Sequence, residues 1–162
     1  MHVTIAPRGI LQIDDARIVY RNFSGVGSKF NREGDRNFAV VIPDEETKDA
    51  LIEEGYNVKI KPPRDEDDSP FMYLPVKIKF NDRGPNVYIQ TQTGRNKSRL
   101  DEDSIGILDN VDILRIDLDV RPYDWEVNGK NGRTAYLQSM HVTQQVDRFA
   151  ERFAAEEYPS DF

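Results

Sequence analysis

Cysteine is absent from the 162 residues, which excludes a disulfide framework, a zinc–thiolate site, an iron–sulfur cluster and a cysteine nucleophile. Histidine is almost absent: His2 and His141 stand far apart, in no ligand or triad spacing. No apolar run approaches the ~20 residues of a membrane helix, and the opening MHVTIAPRG lacks the basic region and apolar core of an export signal. A soluble protein that stays in the cytoplasm is expected. An excess of positive charge is missing too, since 22 Lys and Arg stand against 29 Asp and Glu for a net charge of −7. That excludes a uniformly basic coat for nucleic acid and leaves the distribution of charge to decide. With 38% hydrophobic residues, the chain suits one domain around one modest core.

What is present is short-period alternation. Ala16 to Phe23 predicts a strand with Arg17 and Arg21 on one face, and Ser24 to Arg36, with Gly25, Gly27 and Gly34, a mobile basic loop. Asn37 to Ile42 is β-branched, ends at Pro43 and predicts a buried strand. Asp44 then caps a helix with acids in its first turn and Gly55 at its far end. Tyr56 to Lys61 predicts another strand, stopped by Pro62 and Pro63. Phe71 to Phe80 sets Val76, Ile78 and Phe80 against Lys77 and Lys79; with the turn NDRGPN and Val87 to Thr93 it predicts a hairpin. Leu100 to Asn110 predicts a short helix around Ile105 and Leu108. From Ile113 a long strand alternates Leu114, Ile116, Leu118 and Val120 with Arg115, Asp117, Asp119 and Arg121. After an aromatic-rich turn holding Asn128-Gly129, Thr134 to Val142 returns as its partner. Within Gln144 to Glu157, the spacing of Val146, Phe149 and Phe153 predicts a C-terminal helix.

Six or seven short strands without βαβ alternation predict a mainly β chain. The expected architecture is an antiparallel barrel of the oligonucleotide-binding type, with one inserted helix and a C-terminal helix. In such barrels the loops joining strands 1–2 and 4–5 flank a cleft for single strands. The basic loop after the first strand and the NGKNG hairpin come in the right order to be those loops. One domain over residues 1–157 is expected, with an acidic tip at 158–162.

Cations interleaved with rings are the strongest local signal. Arg17, Tyr20, Arg21, Phe23, Lys29, Phe30, Arg32 and Arg36 form one group; Lys77, Lys79, Tyr88, Arg95, Lys97 and Arg99 form a second. Single-stranded nucleic acid needs that mixture, because cations displace counterions from phosphates while exposed rings stack on unpaired bases. Charge is segregated: Lys77 to Arg99 holds six basic residues and one acid, Asp44 to Glu54 one basic residue and six acids. Tyr123 and Trp125 suggest a further stacking platform, with Lys130 and Arg133 for phosphate. Two other readings stand beside that one: a structural or assembly protein that uses the barrel as a protein-interaction module, its basic face meeting an acidic partner, and a metal-dependent nuclease built on Asp117 and Asp119. GVGSKF and GKNGRT match no nucleotide-binding loop in context.

Five segments taken together carry a family resemblance: NFSG (Asn22 to Gly25), FNREGDRNFAV (Phe30 to Val40), KPPRDEDD (Lys61 to Asp68), LDEDSIGILD (Leu100 to Asp109) and RPYDWEVNGKNGRTAYL (Arg121 to Leu137). Over about Ala16 to Val142 the chain resembles the single-stranded DNA-binding proteins of tailed phages and prophages of Gram-positive bacteria. The resemblance implies an oligonucleotide-binding barrel that coats single-stranded DNA during phage replication or recombination in the host cytoplasm, without catalysis or cofactor. The ending EEYPSDF is similar to the acidic, Phe-terminated tails of bacterial and phage single-strand-binding proteins. That similarity implies a partner-binding tip at Asp161 and Phe162 for replication or recombination proteins.

Overall fold

Alternation along Phe71 to Ile78 sorts the side chains into two layers: Met72, Leu74, Val76 and Ile78 are buried, while Phe71, Tyr73, Pro75 and Lys77 face outward. Each buried aliphatic side chain contributes about 1.5–3 kcal/mol, so this register is strongly specified. The computed structural model describes residues 1–147 and residue 149. Its strands are β1 (His2–Ile5), β2 (Leu11–Asp14), β3 (Ile18–Asn22), β4 (Arg36–Val41), β5 (Lys59–Lys61), β6 (Phe71–Ile78), β7 (Asn86–Thr91), β8 (Ser98–Leu100), β9 (Ile113–Val127) and β10 (Lys130–Gln144), and an α-helix, α1 (Glu45–Glu53), follows β4.

The main path of the sheet runs β1-β2-β9-β10-β6-β4-β3, with β5 on β6 and the β7–β8 pair on β10. Its interior holds Phe23, Phe38, Val40, Leu74, Val76, Val87, Ile116, Leu118, Val120, Leu137, Met140 and Val142 in one cluster. The path is an open one: β3 and β9 share no ladder, but the Ala16 amide just ahead of β3 donates to the Ile116 carbonyl at 2.8 Å. That is the partly open barrel expected for an oligonucleotide-binding fold. Helix α1 is capped as its sequence implies. The Asp44 carboxylate accepts from the Thr47 amide at 2.7 Å, which lowers its pKa, and Gly55 takes the left-handed φ of +93° after the last turn.

Several expectations are corrected. The barrel is not wholly antiparallel, because β10 runs parallel to β6 at Ala135 and Tyr136 and parallel to β7 from Ser139 to Gln144. Consequently β6 and β7 form no hairpin; they lie one after the other along the same edge of β10, and the turn residues between them form an excursion at a register shift. Local turn chemistry suggested a reversal, and long-range pairing with β10 overrode it. The aromatic-rich segment after Arg121 is strand rather than turn: β9 and β10 pair along nearly their whole length, and only Asn128-Gly129 turns, with φ of +52° and +79°. The segment around Ile105 is a short 3-10 turn, β5 spans only Lys59–Lys61, and Leu114, expected on the inward side of the long strand, is exposed because the β9–β10 register shifts beside it, between Thr143 and Gln144. Strands β1, β2 and β8 have no counterpart in the sequence reading. The C-terminal helix expected from Gln144 to Glu157 does not start there, because Gln144 closes β10 and Gln145 to Asp147 are not helical; its later part with Phe153, and the tip with Asp161 and Phe162, lie outside the described residues.

Candidate nucleic-acid interface

The outward positions of neighbouring strands fall into one continuous face. Lys59 and Lys61 of β5 register with Tyr73 and Phe71 of β6; Asn37 and Ala39 of β4 register with Lys77 and Pro75; Tyr136 of β10 lies beside Lys77 on the other side. Across β10, Tyr136 opposes Arg121 and Thr134 opposes Tyr123. No Asp or Glu occupies any of these positions, so the face carries lysines, an arginine and rings. Lys59, Lys61, Lys77, Lys79 and Arg121 make no ion pair with a carboxylate among the described residues. An open groove of about 790 Å³ runs over this surface, from Tyr20 and Tyr73 past Lys77, Lys79 and Phe80 to Phe30, Arg32 and Arg36, with Tyr136 also on its wall. Carboxylates enter its lining only at Asp35 and Glu102.

Two ring clusters stand on the face. In the first, Tyr20 meets Tyr73 edge-on at 5.3 Å and Phe71 at 6.4 Å between centroids, while the Lys61 ammonium lies 5.9 Å above the Tyr20 ring and donates to its hydroxyl at 3.5 Å. Tyr20 reaches this position because the β3–β4 register shifts between Val19 and Asn22 and its own φ is +54°. A left-handed aromatic residue is strained, costing of order 1–3 kcal/mol. In the second cluster Tyr123 meets Tyr136 edge-on at 6.0 Å, with the Arg121 guanidinium 5.0 Å from the Tyr136 ring. Tyr136 sits opposite Lys77, four residues along β6 from Tyr73, so the clusters are about 13 Å apart at the rise of a strand.

The outer halves of β9 and β10 form a two-stranded arm whose tip is exposed. Trp125 is stacked across Gly132, where a side-chain carbon would come within 2.5 Å of the indole, and its Nε1 donates to Thr134 Oγ1 at 3.1 Å. On the opposite face of the arm Arg133 donates to Asp124 and, at 2.7 Å, to the Glu54 carbonyl, with its guanidinium 5.5 Å from the Tyr56 ring. The bond from Arg133 lowers the pKa of Asp124, and burial pushes the Tyr56 hydroxyl up to about 12.

The sequence matches the phage ssDNA-binding domain family over residues 2–160. The chain belongs to that family. Among solved structures it is similar to the single-stranded DNA-binding protein of bacteriophage Enc34 in several forms. For the protein in complex with ssDNA, identity is 14%, coverage 91% of this chain and 93% of that one, and TM-score 0.55. For its C-terminal truncation the corresponding values are 13%, 90%, 91% and 0.55. For the third structure, of the protein without either qualification, they are 15%, 91%, 87% and 0.54. At these identities the likeness is one of fold. No curated protein matches the sequence.

Of the residues singled out in this family member by sequence, Tyr20, Phe30, Arg32, Arg36, Lys77 and Lys79 meet in the groove, with Lys29 5.8 Å from the Phe30 ring and Phe30 itself 93% exposed. Tyr123 and Trp125 stand on the arm next to it, and Lys130 is exposed at the arm's tip. Three assignments are corrected. Phe23 is 0% exposed and stacks on Phe38 at 5.2 Å, so it belongs to the core and offers no face to a base. Arg21 lies away from the groove, in a small cleft it shares with Arg17, and its Nη1 donates to the Leu108 and Val111 carbonyls at 3.1 and 2.8 Å. Arg133 is bound up at the root of the arm. Arg17 lines the cleft beside Arg21, with Asp15 and Leu114. Tyr88 sits among Asp117, Asp119 and His141 on the other half of the sheet, and Arg95, Lys97 and Arg99 line the exposed β7–β8 edge, Arg99 donating to Asn86 at 2.7 Å. Both acids of the candidate metal pair have partners: Asp117 meets Arg115 at 3.1 Å and accepts from the Asp15 amide at 2.8 Å, and Asp119 accepts from the Ser139 hydroxyl at 3.4 Å. Among the described residues no three such groups come together.

Sequence reasoning passed over Lys59, Lys61, Phe71, Tyr73, Phe80, Arg121 and Tyr136. The signal was available for Phe71 and Tyr73, which alternate with Met72 and Leu74 and so point away from the core.

Proposed function

We propose that this protein binds single-stranded DNA without sequence preference by laying it across the outward, ring- and cation-bearing face of β3, β4, β5, β6, β10 and the arm. The observation that carries the proposal is the concentration of exposed rings and unpaired cations on one sheet face of a molecule whose net charge is −7. Such a face attracts a polyanion despite the overall sign, because the local potential governs approach. Tyr20, Tyr73, Tyr123 and Tyr136 stack with bases, and Lys59, Lys61, Lys77, Lys79, Arg36 and Arg121 take phosphates. Lys29, Phe30 and Arg32 close over the strand from the long loop, and Trp125 and Lys130 extend the contact along the arm. Family membership and the likeness in fold to an Enc34 protein solved in complex with ssDNA support the same use.

The setting proposed with it, supported by membership of a phage family, is the coating of single strands during phage replication or recombination in the host cytoplasm, without a covalent step. Residues 1–157 act as the binding unit, and Asp161 and Phe162 at the tip dock replication or recombination proteins. Among the described residues no helix is long and apolar enough to cross a membrane.

The test is a titration of the full chain with fluorescein-labelled oligothymidylate, read by polarisation and Trp125 fluorescence over a range of salt. Tight binding that weakens steeply with salt, and a clear preference over duplex of equal length, are expected. Equal affinity for duplex, or no response to salt, would overturn the proposal.

A further inference from the structure

Arg36 is a groove cation with a buried donor left unsatisfied. Its Nη1 reaches Glu102 Oε1 only at 3.5 Å, its Nη2 reaches the Glu102 carbonyl at 3.3 Å, and its Nε is sealed from solvent without a partner. The guanidinium lies 5.9 Å from the Phe80 ring, between the long loop and β6. A fork of five donors is thus held by one distant carboxylate oxygen and one carbonyl, well short of the paired geometry a guanidinium prefers.

Glu102 is held where it is by its neighbours. The Asp101 carboxylate accepts from the Asp103 and Ser104 amides at 3.0 and 2.9 Å, making a rigid turn that presents Glu102 at the groove mouth. The Glu102 side chain is itself 63% exposed, so releasing it to water costs little. A phosphate, with two oxygens free to face the fork, fits Arg36 better than the present single contact.

We propose that Glu102 is a specificity-determining residue of the groove, a stand-in anion that holds Arg36 until a nucleic-acid phosphate displaces it. The inference rests on the groove being the single-strand interface. Glu102 then sets a threshold: weak anions fail to dislodge it, while a phosphate fixed in register by ring stacking on either side succeeds. Its carboxylate also repels a backbone that approaches without making those stacking contacts.

Polarisation titrations of the full chain with fluorescein-labelled oligothymidylate at one salt concentration test it, using Glu102→Gln, Arg36→Gln, the double variant and Asp103→Asn. Asp103 makes no ion pair among the described residues and reports the effect of removing a nearby charge. Glu102→Gln is expected to tighten binding by about two- to fivefold, the range of a part-exposed ion pair, beyond any change in Asp103→Asn. Arg36→Gln weakens binding, and the gain from Glu102→Gln disappears in its background. An equal gain in Asp103→Asn, a gain that persists without Arg36, or an Arg36→Gln variant that binds as wild type would overturn this inference alone. A wild-type chain that binds no oligothymidylate would overturn the groove assignment as well.

Discussion

Arg133 grips both carboxylate oxygens of Asp124, at 2.7 Å from Nε and 3.1 Å from Nη2, directly across the β9–β10 ladder. The same side chain reaches the Glu54 carbonyl at the end of α1, so one guanidinium ties the arm to the helix and orients Tyr123 and Trp125 on the opposite face of the ribbon. Replacing Arg133 with Gln leaves the Glu54 carbonyl and Asp124 without their charged donor. A loss of about 1.5–3 kcal/mol is expected from hydrogen bonds of this kind, measured as a lower urea midpoint with unchanged slope. A variant as stable as wild type would show that the arm is held by its ladder alone.

The pH dependence follows from the same contact. Arg133 holds the folded-state pKa of Asp124 below the ordinary carboxylate value of 3.8. The native state therefore binds fewer protons than the unfolded chain in this range. Its contribution to stability is complete above the ordinary value and is lost as pH falls toward the lowered one. Asp44, held down by the Thr47 amide, and Asp101, held down by Ser104, act in the same direction. Urea midpoints taken from neutral pH down to about pH 2 should fall less steeply for Asp124→Asn than for wild type; parallel curves would contradict the assignment.

Stacking and charge separate cleanly at the interface. Tyr136→Ala removes a ring that contacts both Tyr123 and Arg121, and affinity for oligothymidylate should drop by about 1–3 kcal/mol, whereas Tyr136→Phe keeps most of it. A drop of the same size in the Phe variant would assign the effect to the hydroxyl rather than the ring.

Lys77 lies beside Tyr136 in the groove, exposed and without a carboxylate partner among the described residues. Lys77→Gln should reduce the slope of log affinity against log salt by about 0.7, the value for one phosphate contact on a single strand, with equal effect on every base composition tested. An unchanged slope would place Lys77 off the path of the backbone.

Phe23 provides the contrast, since it is buried against Phe38 rather than displayed. Phe23→Ala should cost about 3–5 kcal/mol of stability, seen by urea unfolding, while the variant that remains folded binds oligothymidylate with little change. A large loss of affinity at full stability would return Phe23 to the interface.

Where side chains obey strict alternation, the sequence was legible. The core positions Ile116, Leu118 and Val120, the capped helix from Asp44 to Gly55, and the Asn128-Gly129 turn could all be placed, because each depends on neighbours within a few residues. The Tyr20 bulge was not legible. It depends on pairing with β4, and it places Tyr20 in the groove while Arg21 lies away from it, bonded to the Leu108 and Val111 carbonyls. The parallel run of β6 and β7 along β10 escaped for the same reason, since turn residues between two strands say nothing of a third strand more than forty residues away.

By itself, then, the chain's amino-acid order determined a mainly β domain in which a net acidic composition still holds basic, ring-bearing stretches apart from acidic ones. Which of those rings and cations share a surface was decided only in three dimensions. Periodicity along a strand assigns a side chain to the inside or the outside; which strands lie side by side, and at what register, comes from contacts distant in sequence. Those contacts bring Tyr73, Lys77 and Tyr136 together and commit Phe23, Arg21 and Arg133 to holding the fold.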